Sequence, residues 1–471
     1  MLTFVFEMRL SLNMIERLSK LIAILTIVVL VGCNETSEKN ITYFGGKIIN
    51  PKINYVVLFD YKTAVDTFYL DQNNNFLGEL SFLKEGLFYF RHSNEHQYIY
   101  LKPKDSVLIR LNTWDFDESL VFSGKGAQRN NLLIDCFLDT EKDEKEFFSL
   151  YDLDPESFTL KVDSLEEIKL KKYNEYTSNN PDESDDFLKV FKIALTYPLY
   201  GRVENYPLVH RMKKHDVSHE ISKDFYKHRD KISANQDSII YFSAYRNYVV
   251  NNIYNIVYNR GYKTDSDEFT IDLLKTIDSE ITNQNFRNRL LRQAMLSHFY
   301  RKSTCQYNPK TFETYFSLSS DAKDKNLVNK LLNDTEKLHV GKKITNFLIT
   351  DYNHADRSIK SLIKKKNSFI YFWNPKFSSK DYINSRINYL SREFPTINFI
   401  GVKIDGSSIG RLKRIDIKSQ YYLTSNSNAN EFLTSKMPRA LIINNKGVLV
   451  NGYASLSSKN TYKQLKELSK K

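Results

Sequence analysis

Cysteines and histidines are the residues of this chain best suited to covalent or metal chemistry, and it has three of the first and nine of the second. Cys136 and Cys305 are too far apart in sequence for a local Cys-x-x-Cys redox motif. Cys136 sits in Leu132-Leu133-Ile134-Asp135-Cys136-Phe137, an apolar helical stripe where a buried, inert thiol is the plain reading. Two unpaired structural thiols, one disulfide between them and a redox pair all stay open. The densest set of metal-ligand types is His215-Asp216-Val217-Ser218-His219-Glu220, with His210 and His228 nearby. It lacks the His-Glu-x-x-His order that joins zinc to a general base, and Lys213 and Lys214 repel a cation. We read it as a solvated loop and helix start, and His92 and His96 as surface residues of a strand and turn. Gly124-Lys125-Gly126 is too short to cradle phosphate, and Asp152-Leu153-Asp154 lacks the other calcium ligands. No nucleophile elbow occurs. We therefore expect no catalytic residue, metal or cofactor among these sets.

The elements that carry these residues change type twice along the chain. Residues 41–125 hold short runs rich in Tyr, Phe, Val and Ile, such as Tyr43–Ile49, Leu87–Arg91 and Ser106–Leu111. Turn chemistry at close spacing separates them, which is the pattern of an all-β sandwich or barrel. From 127 the alternation gives way to three- and four-residue apolar steps, over Ser164–Tyr173, Asp185–Ala194, Ser218–His228, Ile239–Val257, Glu268–Ile277, Gln284–His298, Asn308–Phe316 and Asp321–Leu338. Ser164 with Glu167 has the form of a capping box, and Asp185 and Asp186 suit a helix start. From 340 the pattern turns to α/β, with strands at Lys343–Thr350, Ser368–Trp373 and Ile397–Ile404 and a helix at Ser378–Phe394. Short helices are expected at 410–416 and 428–435. Arg439–Ile443 and Val448–Val450 flank Asn444-Asn445-Lys446-Gly447, a hairpin signal, and a basic helix at Lys459–Ser469 closes the chain. The fold class is thus multidomain: a β-rich domain at 34–126, a helical middle at 127–338 and an α/β domain at 339–471.

Residues 1–33 read as an export signal. Arg9, Arg17 and Lys20 precede the apolar run Leu21–Val31, which is short for a membrane span and right for a signal core. Met8 and Met14 are alternative starts. Leu30-Val31-Gly32-Cys33 resembles the bacterial lipobox, which implies a lipid on Cys33 and stable anchoring by several acyl chains. Asn34, where an aspartate would resemble an inner-membrane retention signal, implies the outer membrane, with the periplasmic face as default. The net charge of +12 comes from scattered lysines rather than one basic face. An exported chain meets no genomic DNA, so we expect no nucleic acid and a solvated basic surface.

The last 130 or so residues resemble the TlpA-type thioredoxin family. The resemblance rests on Ile344-Thr345-Asn346-Phe347-Leu348-Ile349-Thr350-Asp351, on the strand ending in Phe372-Trp373, on Lys436-Met437-Pro438-Arg439-Ala440, and on the Asn444–Gly447 turn. The whole-chain order is similar to envelope lipoproteins with a β-rich domain, helices and this fold. Phe122-Ser123-Gly124-Lys125-Gly126-Ala127-Gln128-Arg129-Asn130-Asn131 resembles the junction in that group. The resemblance implies a cis Pro438 and a preceding residue, Met437, whose main chain meets a peptide partner. It also puts Phe377 and Lys380 where the two cysteines belong, and no cysteine follows Cys305. Thiol–disulfide exchange needs a thiolate, so the dithiol activity is not carried over. Trp373, Phe377, Lys380, Met437, Pro438 and Arg439 are the expected groove. Two functions remain: a lipid-anchored binding or scaffold protein for an envelope protein or peptide, or a thiol–disulfide oxidoreductase acting through Cys136, Cys305 or a partner's cysteines.

Overall fold

The computed structural model describes residues 41–470 except 62, 82, 215–220, 233–235 and 408–418. The export segment with Cys33, the His215–Glu220 cluster and the helix expected at 410–416 lie outside the described residues. The chain divides into two units. One is the described chain up to Asp143 together with Tyr173–Ala194; the other is Glu144–Lys172 together with Leu195 onward.

The first unit opens with eight strands, β1 (Ile41–Ile49), β2 (Tyr55–Asp60), β3 (Thr63–Tyr69), β4 (Asn75–Ser81), β5 (Gly86–His92), β6 (Glu95–Leu101), β7 (Ser106–Asn112) and β8 (Val121–Lys125). They form two four-stranded sheets, β4-β1-β7-β8 and β3-β2-β5-β6, antiparallel except for the parallel pair β1 and β7. Alternate side chains from all eight strands meet in one core, so the arrangement is a sandwich. Phe44 sits at its centre, with Phe68 and Phe76 edge-on at 5.6 and 5.3 Å. His92 is fully buried, against the expectation of a surface residue. The reason is a main-chain clamp: its ring bonds Lys52 N and Tyr55 O, each at 3.0 Å.

The glycine-rich junction is a structural joint. Gly124 and Gly126 have φ of +87° and +98°, and a Cβ on Gly124 would lie 2.1 Å from Ser106 O. The sharp turn launches α1 (Ala127–Leu150), whose first turn presents two carboxamides. Asn130 accepts from Tyr100 N–H at 2.6 Å and donates to Tyr100 C=O at 2.9 Å. Asn131 treats Phe122 the same way, at 3.0 Å for both bonds. Each carboxamide thus stands in for the peptide of a neighbouring strand. Arg129 adds a 2.5 Å ion pair to the buried Asp105.

The helices continue as α2 (Pro155–Asn179), α3 (Asp185–Lys214), α4 (Ser243–Tyr258), α5 (Asp267–Glu280), α6 (Gln284–Lys302), α7 (Pro309–Leu318) and α8 (Ala322–Glu336). Ser164 and Glu167 lie inside α2, so they are no capping box. Pro155 opens the helix instead, and Asp154 takes Ser157 N–H at 2.9 Å. The helix expected at Ser218–His228 is a 3₁₀ stretch, Lys223–Lys231. His210 and His228 are buried rather than solvated. His228 and Arg229 both bond Glu204, whose carboxylate is held down to about 2: burial alone would raise it, and the Arg229, His228 and Asn255 bonds outweigh that.

The C-terminal part is a seven-stranded sheet, β9 (Leu348–Asp351), β10 (Asp356–Ser358), β11 (Ser368–Trp373), β12 (Asn398–Lys403), β13 (Gln420–Tyr422), β14 (Arg439–Ile443) and β15 (Leu449–Ala454), ordered β10-β9-β13-β12-β11-β14-β15. β11, β12 and β13 run parallel, while β14 and β15 form an antiparallel hairpin. β11 is buried on both faces, which explains its unbroken apolar sequence. The helices α9 (Lys380–Glu393) and α10 (Lys459–Ser469) cover one face through Ile383, Ile387, Leu390 and Leu465. β10 and β13, three residues each, are too short for an alternation pattern to mark them. At the hairpin only Gly447 takes a positive φ, because the Asn444 side chain accepts from Lys446 and Val448 N–H and closes the turn itself.

Candidate functional site

The expected groove gathers at the end of β11 where the chain turns into α9. Asn374 holds that turn: its carbonyl accepts Phe377 and Ser378 N–H, and its side chain accepts Lys376 N–H. Ser379 then caps α9 by accepting Tyr382 N–H at 3.2 Å. The turn leaves Phe377 44% exposed with the Lys376 ammonium 5.8 Å over its ring. Lys380 is exposed at the first position of the helix. Trp373 faces the other way, into the core beneath α9.

Across from this turn runs the loop that carries Met437 and Pro438, and its anchor comes from the helices. Asp334 of α8, fully buried, accepts Thr434 N–H at 2.7 Å, Thr434 Oγ1–H at 2.6 Å and Ser435 N–H at 3.0 Å. Tyr300 of α6 donates its hydroxyl to Pro438 O at 3.4 Å. Burial pushes that hydroxyl up to about 12, so it stays protonated. Every described peptide bond is trans, Met437–Pro438 included, which corrects the cis expectation. Met437 N–H is moreover bonded to Ser435 Oγ at 3.2 Å. The loop is thus fixed from below by Asp334 and Ser435, and the Met437 N–H is spent on its own loop.

Between turn and loop lies a groove of about 360 Å³, lined by Phe377, Met437, Pro438 and Arg439 together with Tyr300 and Tyr382. Four of the six expected residues line it; Trp373 and Lys380 do not. Arg439 is its least ordinary member. The residue is buried, its guanidinium lies 3.6 Å from Asp334, and none of its three nitrogens has a hydrogen-bond partner. Burial pulls its pKa down while Asp334 opposes. The sequence named Arg439 but not Asp334 or Tyr300, which approach from far along the chain and carry no local motif.

Outside the groove, Cys136 and Cys305 are both buried, and no disulfide joins them. A second arrangement has the order of a nucleophile, base and acid: Thr270 Oγ1 is 2.8 Å from His298 Nδ1, and His298 Nε2 is 3.4 Å from Asp267. Thr270 is fully buried, so the set clamps α5 to α6 rather than meeting a substrate. Burial holds His298 down to about 4 and keeps it neutral. Among the described residues, no three His, Cys, Asp or Glu side chains gather as a metal site. No described helix is long and apolar enough to cross a membrane.

The sequence matches no family model and no curated protein. Solved structures are similar over about a quarter of the chain. A thiol:disulfide interchange protein from Bacteroides sp. is 14% identical over 28% of this chain and 92% of its own, with a TM-score of 0.24. The thioredoxin domain of a thiol-disulfide oxidoreductase from Bacteroides vulgatus is 18% identical over 27% of this chain and 97% of its own, at 0.21. A secreted Mycobacterium tuberculosis disulfide oxidoreductase is 14% identical over 26% and 95%, at 0.21. Those scores transfer no activity.

Proposed function

We propose that this is a lipid-anchored cell-envelope protein, outer-membrane and periplasm-facing, whose degenerate thioredoxin-like domain of TlpA type binds a peptide or protein partner without redox chemistry. One observation carries the reading: the turn that would hold a thiol pair holds Phe377 and Lys380, while the groove beside it is still formed. A thiolate is the nucleophile in disulfide exchange, and neither side chain supplies one. An exposed aromatic ring and a soft thioether suit apolar contact with varied side chains. The Lys376 ammonium over Phe377 stiffens that wall. Because the Met437 N–H is already bonded, recognition runs through groove side chains more than through an added strand.

The test is an overlay of the full chain, in detergent, on an array of extended peptides. The unaltered chain should bind a subset, and Phe377→Asp and Met437→Asp should each lose most of that signal while circular dichroism stays native. Unchanged binding by both variants sinks the proposal.

A further inference from the structure

The groove does not stop at Pro438. A second cavity of about 460 Å³ shares Tyr300, Ser455 and Ser457 with it, so the two form one trough along the end of β15. Hydroxyls line both halves. Each half also contains an arginine whose donors are not used up. Arg439 has three nitrogens without a hydrogen-bond partner, and Arg301 in the second cavity has two. Lys459, the first residue of α10, lines the second cavity as well, where the helix dipole favours negative charge.

Buried guanidinium donors left unbonded are costly, and natural cores seldom retain them. Acidic neighbours do not account for them here. Asp334 balances the Arg439 charge from 3.6 Å, but its oxygens are bonded to Thr434 and Ser435. Asp265 lines the second cavity and faces Arg301 electrostatically, and Arg301 also lies over the Phe269 ring at 5.1 Å. The donors that remain form planar forks suited to carboxylates.

We propose that the trough takes an extended acidic peptide, Arg439 and Arg301 receiving successive carboxylates along it. The inference rests on the groove being a binding site. A small anion would fill one cavity and leave the other arginine as it is, whereas a peptide reaches both. The net charge of +12 draws an acidic chain toward the protein. The Arg439 side chain is only 1% exposed, so a groove side chain must turn aside to admit a carboxylate. Met437 is unbranched and lines the same groove, and it has the rotamer freedom to do so.

Fluorescence anisotropy on the full chain in detergent tests this with two labelled peptides, one of Glu-Ala-Phe repeats and one of Gln-Ala-Phe repeats. The glutamate peptide should bind about tenfold tighter or better, with an advantage that shrinks as salt rises. Arg301→Met and Arg439→Met should each cut that advantage; the peptide comparison on the unaltered chain stands even if the buried Arg439 variant does not fold. Equal affinity for the two peptides, with Phe377→Asp weakening both, overturns the acidic class and leaves the groove reading intact. Binding of neither peptide removes both. A preference kept in a folded Arg439→Met and in Arg301→Met overturns the assignment to these residues.

Discussion

Asp334→Asn should be among the most damaging single substitutions in the C-terminal half. The carboxylate accepts three hydrogen bonds from the loop before Pro438 and is the charge nearest the buried Arg439. Asparagine keeps one acceptor oxygen, so part of the Thr434 and Ser435 contact survives. What is lost is the charge, and Arg439 is then left uncompensated in the core. Removing one partner of a buried pair costs about 3–5 kcal/mol, a large share of the stability of an ordinary domain. Urea unfolding followed by tryptophan emission reads this directly. Of the two tryptophans, Trp114 is 77% exposed and Trp373 is 2% exposed, so a Trp114→Phe background reports the C-terminal sheet alone. The double variant Asp334→Leu with Arg439→Met should recover most of the loss, because replacing both charges removes the uncompensated one. A loss below about 1 kcal/mol for Asp334→Asn, with no coupling in the double variant, would refute the reasoning.

Acid should destabilise the protein in two steps. His298 drops from 6.5 to about 4 on folding, so its contribution is complete above pH 6.5 and fades as pH falls toward 4. Glu204 drops from 4.5 to about 2, so its contribution is lost between those values; each shift is worth about 3 kcal/mol. Thermal melts from pH 7 to 3 should fall in both windows, and His298→Gln should flatten the upper one; an unchanged slope there contradicts the assignment. Asn130→Ala should cost about 1–3 kcal/mol by leaving both Tyr100 peptide groups unbonded, and Asn131→Ala should cost less because its site is half-open. Indistinguishable urea midpoints for these variants and the unaltered chain would contradict the joint. Installing Phe377→Cys with Lys380→Cys should yield a disulfide under oxidised glutathione, seen as a mass loss of two hydrogens. Free thiols at both positions would mean that the alignment with the family's cysteine pair is wrong.

Local pattern carried most of the architecture. The alternation in Ser106–Asn112 and the unbroken apolar run of Ser368–Trp373 are properties of a few adjacent residues, and both strands stand where they are expected. Arg439–Ile443 is likewise legible, since Pro438 and the Asn444 turn bracket it. β13 is three residues long and has no local signature, because its partners β9 and β12 supply the bonds that make it a strand. The burial of His92 and His228 is illegible for a related reason: Tyr55 O and Glu204, which hold them, are remote in sequence. The groove was partly legible. Phe377, Met437 and Pro438 follow from motif order, but Tyr300 and Asp334 belong to helices whose periodicity says nothing about which sheet edge they meet.

The most direct test of the proposed binding role without redox chemistry is an insulin-reduction assay on the full chain, run beside Cys136→Ser and Cys305→Ser. Phe377 and Lys380 offer no thiolate, and both remaining thiols are buried. The account predicts no turnover above the dithiothreitol background in any of the three proteins. Turnover in the unaltered chain that disappears with Cys305→Ser or Cys136→Ser would contradict it and move the chemistry to a buried thiol.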